Sequence, residues 1–124
     1  MNRKMKVVSV ALLGVAACAA FDVAAQDVRV GKEVFTQCQA CHTTDGSAGM
    51  GPSLKGIAGR KVASEPGFGY SRAMKSAAIT WDAQTLDAFV ADPQKLVPGN
   101  MMPFAGLDDA SQRAALVAFL MILK

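Results

Sequence analysis

Five consecutive residues, Cys38-Gln39-Ala40-Cys41-His42, restrict what this chain can build more than any other feature. Two thiols stand three positions apart and an imidazole follows at once, so one turn of backbone presents all three groups together. His42 is the sole histidine, and the third cysteine, Cys18, lies upstream in an apolar stretch. A zinc site wants four ligands and finds only three here. A Cys38–Cys41 disulfide closes too small a loop to stabilise much. A thioredoxin-like redox pair needs a βαβ context, and no segment shows the two-residue alternation of a strand bounded by hairpin turns. What remains is the C-x-x-C-H pattern for attachment of a c-type haem, each thiol reaching one vinyl group and His42 held under the iron.

A sixth ligand must then come from elsewhere. With no second histidine, a thioether is the natural donor. Seven methionines are present. Met1 and Met5 fall in the N-terminal leader, and Met121 reads as filler in the last helix. Met50 follows His42 too closely to reach the opposite haem face, and Met74 stays open. Met101 and Met102 sit between Pro98-Gly99 and Pro103, where a stiff backbone can hold a sulfur against iron. The ligand falls to one of these two.

The N-terminus bears on where such a protein works. Arg3, Lys4 and Lys6 precede an uncharged run from Val7 to Phe21, followed by Val23-Ala24-Ala25. A basic start, a short apolar stretch and a small-x-small site are the pattern of a secretory signal. The run is 15 residues, short of the roughly 20 that span a bilayer. Residues 1–25 are therefore expected to be a cleaved signal and 26–124 the exported, periplasmic domain. The rival is a lipoprotein cut before Cys18, in Val15-Ala16-Ala17-Cys18, which alone would anchor the product to a membrane. Removing residues 1–25 leaves ten basic and nine acidic residues. A net charge near +1 excludes a strongly basic nucleic-acid binder.

The mature chain has room for one domain. Apolar residues at helical spacing, with Asp27 able to cap, predict a helix from Asp27 to about Cys41. Glycine-rich sequence with Pro52 and Pro66 predicts loop from His42 to about Tyr70. Leu86, Phe89 and Val90 define a helix near Trp81 to Ala91 that Pro93 stops. Val97 to Gly106 reads as an ordered loop. Leu116, Phe119, Leu120 and Leu123 define a last helix from Asp109 to Lys124, capped by Asp108 or Asp109, with Lys124 at its negative end. The expected architecture is all-α, three to five helices with long loops. Loops this long suit so small a domain only if they wrap a large flat cofactor in place of side-chain core.

With these segments in view the sequence resembles the class I cytochromes c, close to the mitochondrial type and its bacterial relatives, from Val30 to Leu120. Gly31 and Phe35 resemble the point where the first helix crosses the last, with Leu116 and Phe119 opposite. Gly51-Pro52-Ser53-Leu54 is similar to a family segment whose proline carbonyl accepts a hydrogen bond from the proximal histidine, which implies Pro52 for His42. Gly59-Arg60, Gly67-Phe68-x-Tyr70 and Ile79-Thr80-Trp81 imply Arg60, Tyr70 and Trp81 around the haem propionates. Pro98 to Gly106 is similar to the axial-methionine loop, which selects Met102, with Phe104 covering the haem edge. Phe89 and Met74 stand where the family commonly has a tyrosine and an asparagine. Gln94, Met101 and Asp108 stand where it has a ring of lysines.

The resemblance implies a single-haem electron carrier rather than an enzyme, with haem c attached at Cys38 and Cys41 and no small-molecule substrate. Its partners would be a quinol–cytochrome c reductase or dehydrogenase on one side and a terminal oxidase or reductase on the other, docked transiently. The alternative is a haem enzyme or gas sensor with a labile Met102, motivated by the missing hydroxyl at Phe89.

Overall fold

A computed structural model describes residues 19–124, with side chains from Asp27 onward. Cys18 and most of the expected signal segment lie outside the described residues. Five helices follow in order: α1 (Ala19–Val34), α2 (Arg72–Ser76), α3 (Ala83–Ala91), α4 (Pro93–Leu96) and α5 (Ala110–Met121), with a 3-10 turn at Phe35–Gln37. Among the described residues there is no strand, only one antiparallel bridge between Lys61 and Thr80. The fold is all-α, as expected.

Helix α1 packs along α5, and glycine permits the close approach. A Cβ on Gly31 would overlap the Ala115 carbonyl and stand 2.8 Å from the Phe119 Cβ. One turn on, Phe35 meets Phe119 with ring centroids 5.3 Å apart. The sequence pairing of Gly31 and Phe35 with the last helix is thus present.

Three boundaries differ from expectation. Helix α1 begins at Ala19, not at a cap on Asp27, because Val23-Ala24-Ala25-Gln26 contains nothing that breaks a helix. It also stops at Val34, and the chain reaches Cys41 through tighter turns. At the other end α5 finishes at Met121, so Lys124 lies beyond the last turn instead of facing its carbonyls.

Side chains write the remaining helix starts. Asp82 accepts from the Thr85 N–H while Thr85 Oγ1 accepts from the Asp82 N–H, a reciprocal cap on α3. Asp109 accepts from Gln112 N–H to cap α5. Pro93 does more than end α3: it occupies the first turn of α4, where its missing N–H costs nothing. The apolar core joins Phe35, Ile57, Trp81, Leu86, Phe89, Val97, Leu116, Val117 and Leu120. Residues from both long loops, Ile57 and Val97, enter it, so the loops are packed against the helices.

Candidate functional site

The pentapeptide sits directly after the 3-10 turn. The Cys41 and His42 N–H groups both donate to the Cys38 carbonyl, at 3.1 and 2.9 Å, which curls the two thiols and the imidazole onto one turn. Both thiols are free. Burial, and then the Cys41 sulfur, push the Cys38 thiol above its ordinary range, so Cys38 is held as the neutral thiol. His42 Nδ1–H donates to the Pro52 carbonyl at 2.7 Å. That acceptor fixes the tautomer and leaves the Nε2 lone pair free, the form in which imidazole binds a metal. Gly51 makes the contact possible: a Cβ there would lie 2.7 Å from His42 Cε1 and 2.9 Å from Nδ1.

On the other side of the chain order, the loop between α4 and α5 carries Met102. Its N–H donates to Asn100 Oδ1 at 3.0 Å, and its carbonyl accepts from Phe104 N–H at 2.9 Å. Asn100 is buried, and its Nδ2 donates to the carbonyls of Pro93 (2.8 Å) and Val97 (2.9 Å). Gln94 adds a second brace: its Nε2 donates to the Asn100 carbonyl at 2.9 Å and its Oε1 accepts from Gly99 N–H at 3.1 Å. Met102 and Phe104 are half-buried, whereas Met101 is 81% exposed. Cys38 and Met102, more than sixty positions apart, pack against the same apolar cluster.

Arg60, Tyr70 and Trp81 belong to the loop wall. Arg60 donates through Nη1 to Glu65 Oε2 (2.7 Å) and the Lys55 carbonyl (2.9 Å), and through Nη2 to the Ser53 carbonyl (3.0 Å). Its Nε is buried without an acceptor among the described residues. Tyr70 Oη accepts from Glu65 N–H at 3.1 Å, and burial raises its phenol above the usual range. Trp81 is buried with its ring 5.1 Å from that of Phe89. Phe89, where a tyrosine was the family expectation, is thus accommodated by apolar packing. Trp81 also takes part in the backbone pairing that joins Arg60 to its strand-like neighbour, through its N–H to the Arg60 carbonyl at 2.8 Å.

Asn100 and Glu65 are not singled out by the sequence, and Gln94 only as a residue standing where the family has lysine. Asn100 follows Pro-Gly, a turn signal that marks loop geometry without saying what the amide will hold. No pattern betrays what Gln94 or Glu65 will bond, because their partners are set by the loop path.

Paired thiols, a metal-ready imidazole and a braced thioether, with Cys38 and Met102 meeting one apolar cluster in a small helical fold, define a c-type haem protein by class. The comparisons agree. The Cytochrome c family model matches residues 28–124, and the chain belongs to that family, which implies a covalently bound haem c. Cytochrome c2 of Rhodomicrobium vannielii is 42% identical over 119 residues, covering 94% of this chain and 95% of that one. Cytochrome c2 of Rhodoblastus acidophilus is 43% identical over 98 residues, covering 77% of this chain and 92% of its own. Among solved structures, cytochrome cH from Methylobacterium extorquens superposes with a TM-score of 0.73 at 38% identity, covering 76% of this chain and 96% of that one.

Proposed function

We propose that this protein is an exported single-haem electron carrier, with haem bonded to Cys38 and Cys41 and the iron held between His42 and Met102. The observation that carries the reading is the 2.7 Å bond from His42 Nδ1 to the Pro52 carbonyl. It commits one ring nitrogen to the backbone and frees the other for iron.

The donor set fits the group. Among the described residues no three of His, Cys, Asp and Glu gather as a metal cage, so iron held by His42 would take its remaining donors from a porphyrin and a thioether. The unpartnered, buried Arg60 Nε suits a propionate carboxylate. Bound haem supplies a one-electron iron couple. The protein's part is orientation and polarity. Pro52 keeps the His42 ring in one plane and makes Nε2 a better donor. Asn100 and Gln94 hold the Met102 backbone, and Trp81, Phe89 and Leu86 keep the surroundings apolar. With His42 and Met102 both bound, a haem iron would have no open position for substrate, which suits outer-sphere electron transfer.

Partners are redox proteins that supply and remove electrons, docking transiently. Exposed, uncharged Met101 beside Met102 offers them a partly apolar patch. With few net charges, docking is expected to lose little rate when salt is added. Export is supported by the leader pattern and by a likeness to the Rhodomicrobium cytochrome c2 that reaches into residues ahead of Val28. No helix among the described residues is long and apolar enough to cross a membrane.

Absorption spectra of the oxidised and reduced purified protein test the cofactor. The oxidised spectrum should show the weak near-infrared sulfur-to-iron band, and Met102→Ala should remove it while Met101→Ala keeps it. Rapid carbon monoxide binding by the reduced protein at neutral pH would instead point to an open iron position and a haem enzyme or sensor.

A further inference from the structure

Beside main-chain bonds such as Phe104 N–H to the Met102 carbonyl (2.9 Å), two amide side chains hold the Met102 loop. Gln94, exposed on α4, uses both ends of its carboxamide on the loop: Nε2 to the Asn100 carbonyl (2.9 Å) and Oε1 to the Gly99 N–H (3.1 Å). Asn100, 6% exposed, uses all of its own amide: Nδ2 to the Pro93 and Val97 carbonyls, and Oδ1 to the Met102 N–H. The two amides are in series. Gln94 grips Asn100 through its main chain, and Asn100 grips Met102 through its side chain. Gly99, at φ 85°, turns the chain between them.

We infer that Gln94 and Asn100 form a two-amide clamp whose job is to set how readily the Met102 thioether lets go of iron. Gln94 stands at a position where a docking lysine was the family expectation, and here its amide is turned inward on the loop. Each neutral hydrogen bond contributes modestly to holding a segment. The Met102 side chain must leave the iron for another ligand to enter, and a loop free to move lets it withdraw further. Loosening the clamp therefore raises the population of the detached loop. The buried amide of Asn100 is integral to the fold, so the exposed Gln94 is the informative position to change. The inference rests on the Met102 reading above.

The test uses the full-length, haem-loaded protein in its oxidised form and imidazole as the competing ligand, followed by loss of the near-infrared band. Gln94→Ala is expected to bind imidazole about tenfold more tightly than the parent, on the scale of two lost hydrogen bonds. Gln94→Met keeps the bulk of the side chain but neither polar group, and should match the alanine variant. Gln94→Lys restores only a donor for the Asn100 carbonyl and should fall between. Imidazole affinity unchanged in Gln94→Ala, or a Gln94→Met protein that behaves as the parent, overturns the clamp. Met102→Ala in parallel keeps the two readings apart. If it leaves the band intact, the ligand assignment itself is wrong; if it abolishes the band, the Gln94 series judges the clamp alone.

Discussion

The loop from His42 to Tyr70 and the stretch from Asp92 to Gly106, which opens with α4, each carry one of the two proposed iron ligands, but they hold it by different means. On the first, the His42 ring is tied to a main-chain carbonyl, and the surrounding turn closes through main-chain bonds such as Gly51 N–H to the Cys41 carbonyl (2.8 Å) and Leu54 N–H to the Thr43 carbonyl (2.8 Å). On the second, the Met102 N–H is held by the Asn100 side chain, which Gln94 braces in turn, with one main-chain bond from Phe104 N–H to the Met102 carbonyl. A main-chain anchor is lost only when the backbone moves. A side-chain anchor can be removed by one substitution that leaves the fold in place. The histidine side is thus rigid by construction, and the methionine side is adjustable.

Forcing the backbone is the most direct way to break that contrast. Gly51→Ala places a methyl group against the His42 ring, and neither the ring nor the backbone can retreat without losing the Pro52 bond. A cost of about 3 kcal/mol is expected, read as a lower denaturant midpoint and a poor yield of haem-loaded protein. A parental yield and midpoint would show the first loop to be as compliant as the second.

Asn100→Ala strikes the methionine side, stripping partners from the buried Pro93 and Val97 carbonyls and from Met102 N–H. About 2 kcal/mol of stability should go, with the near-infrared band weakened while the haem stays attached. Loss of the haem along with the band would contradict an independent histidine side.

Tyr70 sharpens the comparison with pH. Its folded phenol is raised, chiefly by burial, above the ordinary value of 10.0. The neutral phenol is therefore favoured by folding. Its stabilisation is complete below pH 10.0 and is lost as pH climbs through the higher folded value. Tyr70→Phe should cost about 1 kcal/mol at neutral pH through the unpaired Glu65 N–H, and should flatten the alkaline fall in the denaturation midpoint. An unchanged alkaline fall would assign it to other groups.

The smallest effect has the opposite sign. Ala63 alone among the described non-glycine residues has a positive φ, 56°. Ala63→Gly relieves that conformation at the expense of chain entropy, a net gain of about 0.5 kcal/mol. A small rise in the thermal midpoint with unchanged spectra checks it.

Legibility followed the same division. The thiols and His42 are readable because local spacing dictates their meeting, Pro52 only through the family resemblance, and α3 and α5 because their apolar stripes run for several turns. Helices α2 and α4 went unseen, at five and four residues too short to show a period. Their starts are set by Ser71 and Asp92 side chains accepting from the Met74 and Lys95 N–H groups. The Gln94–Asn100 brace was invisible for a different reason. Its partners lie five to seven positions apart along an irregular path, and no periodicity encodes such a pairing.

The meeting of Gly31 with Ala115 also has a consequence for the order of events during biogenesis. Helix α1 has no docking surface until α5 has been synthesised, so its apolar side must wait, unsatisfied, while the intervening loops emerge. Cys38 and Cys41 lie just past the 3-10 turn that ends that waiting helix. Until α1 and α5 close on each other, Cys38 has yet to be drawn against the apolar cluster that receives it in the finished fold.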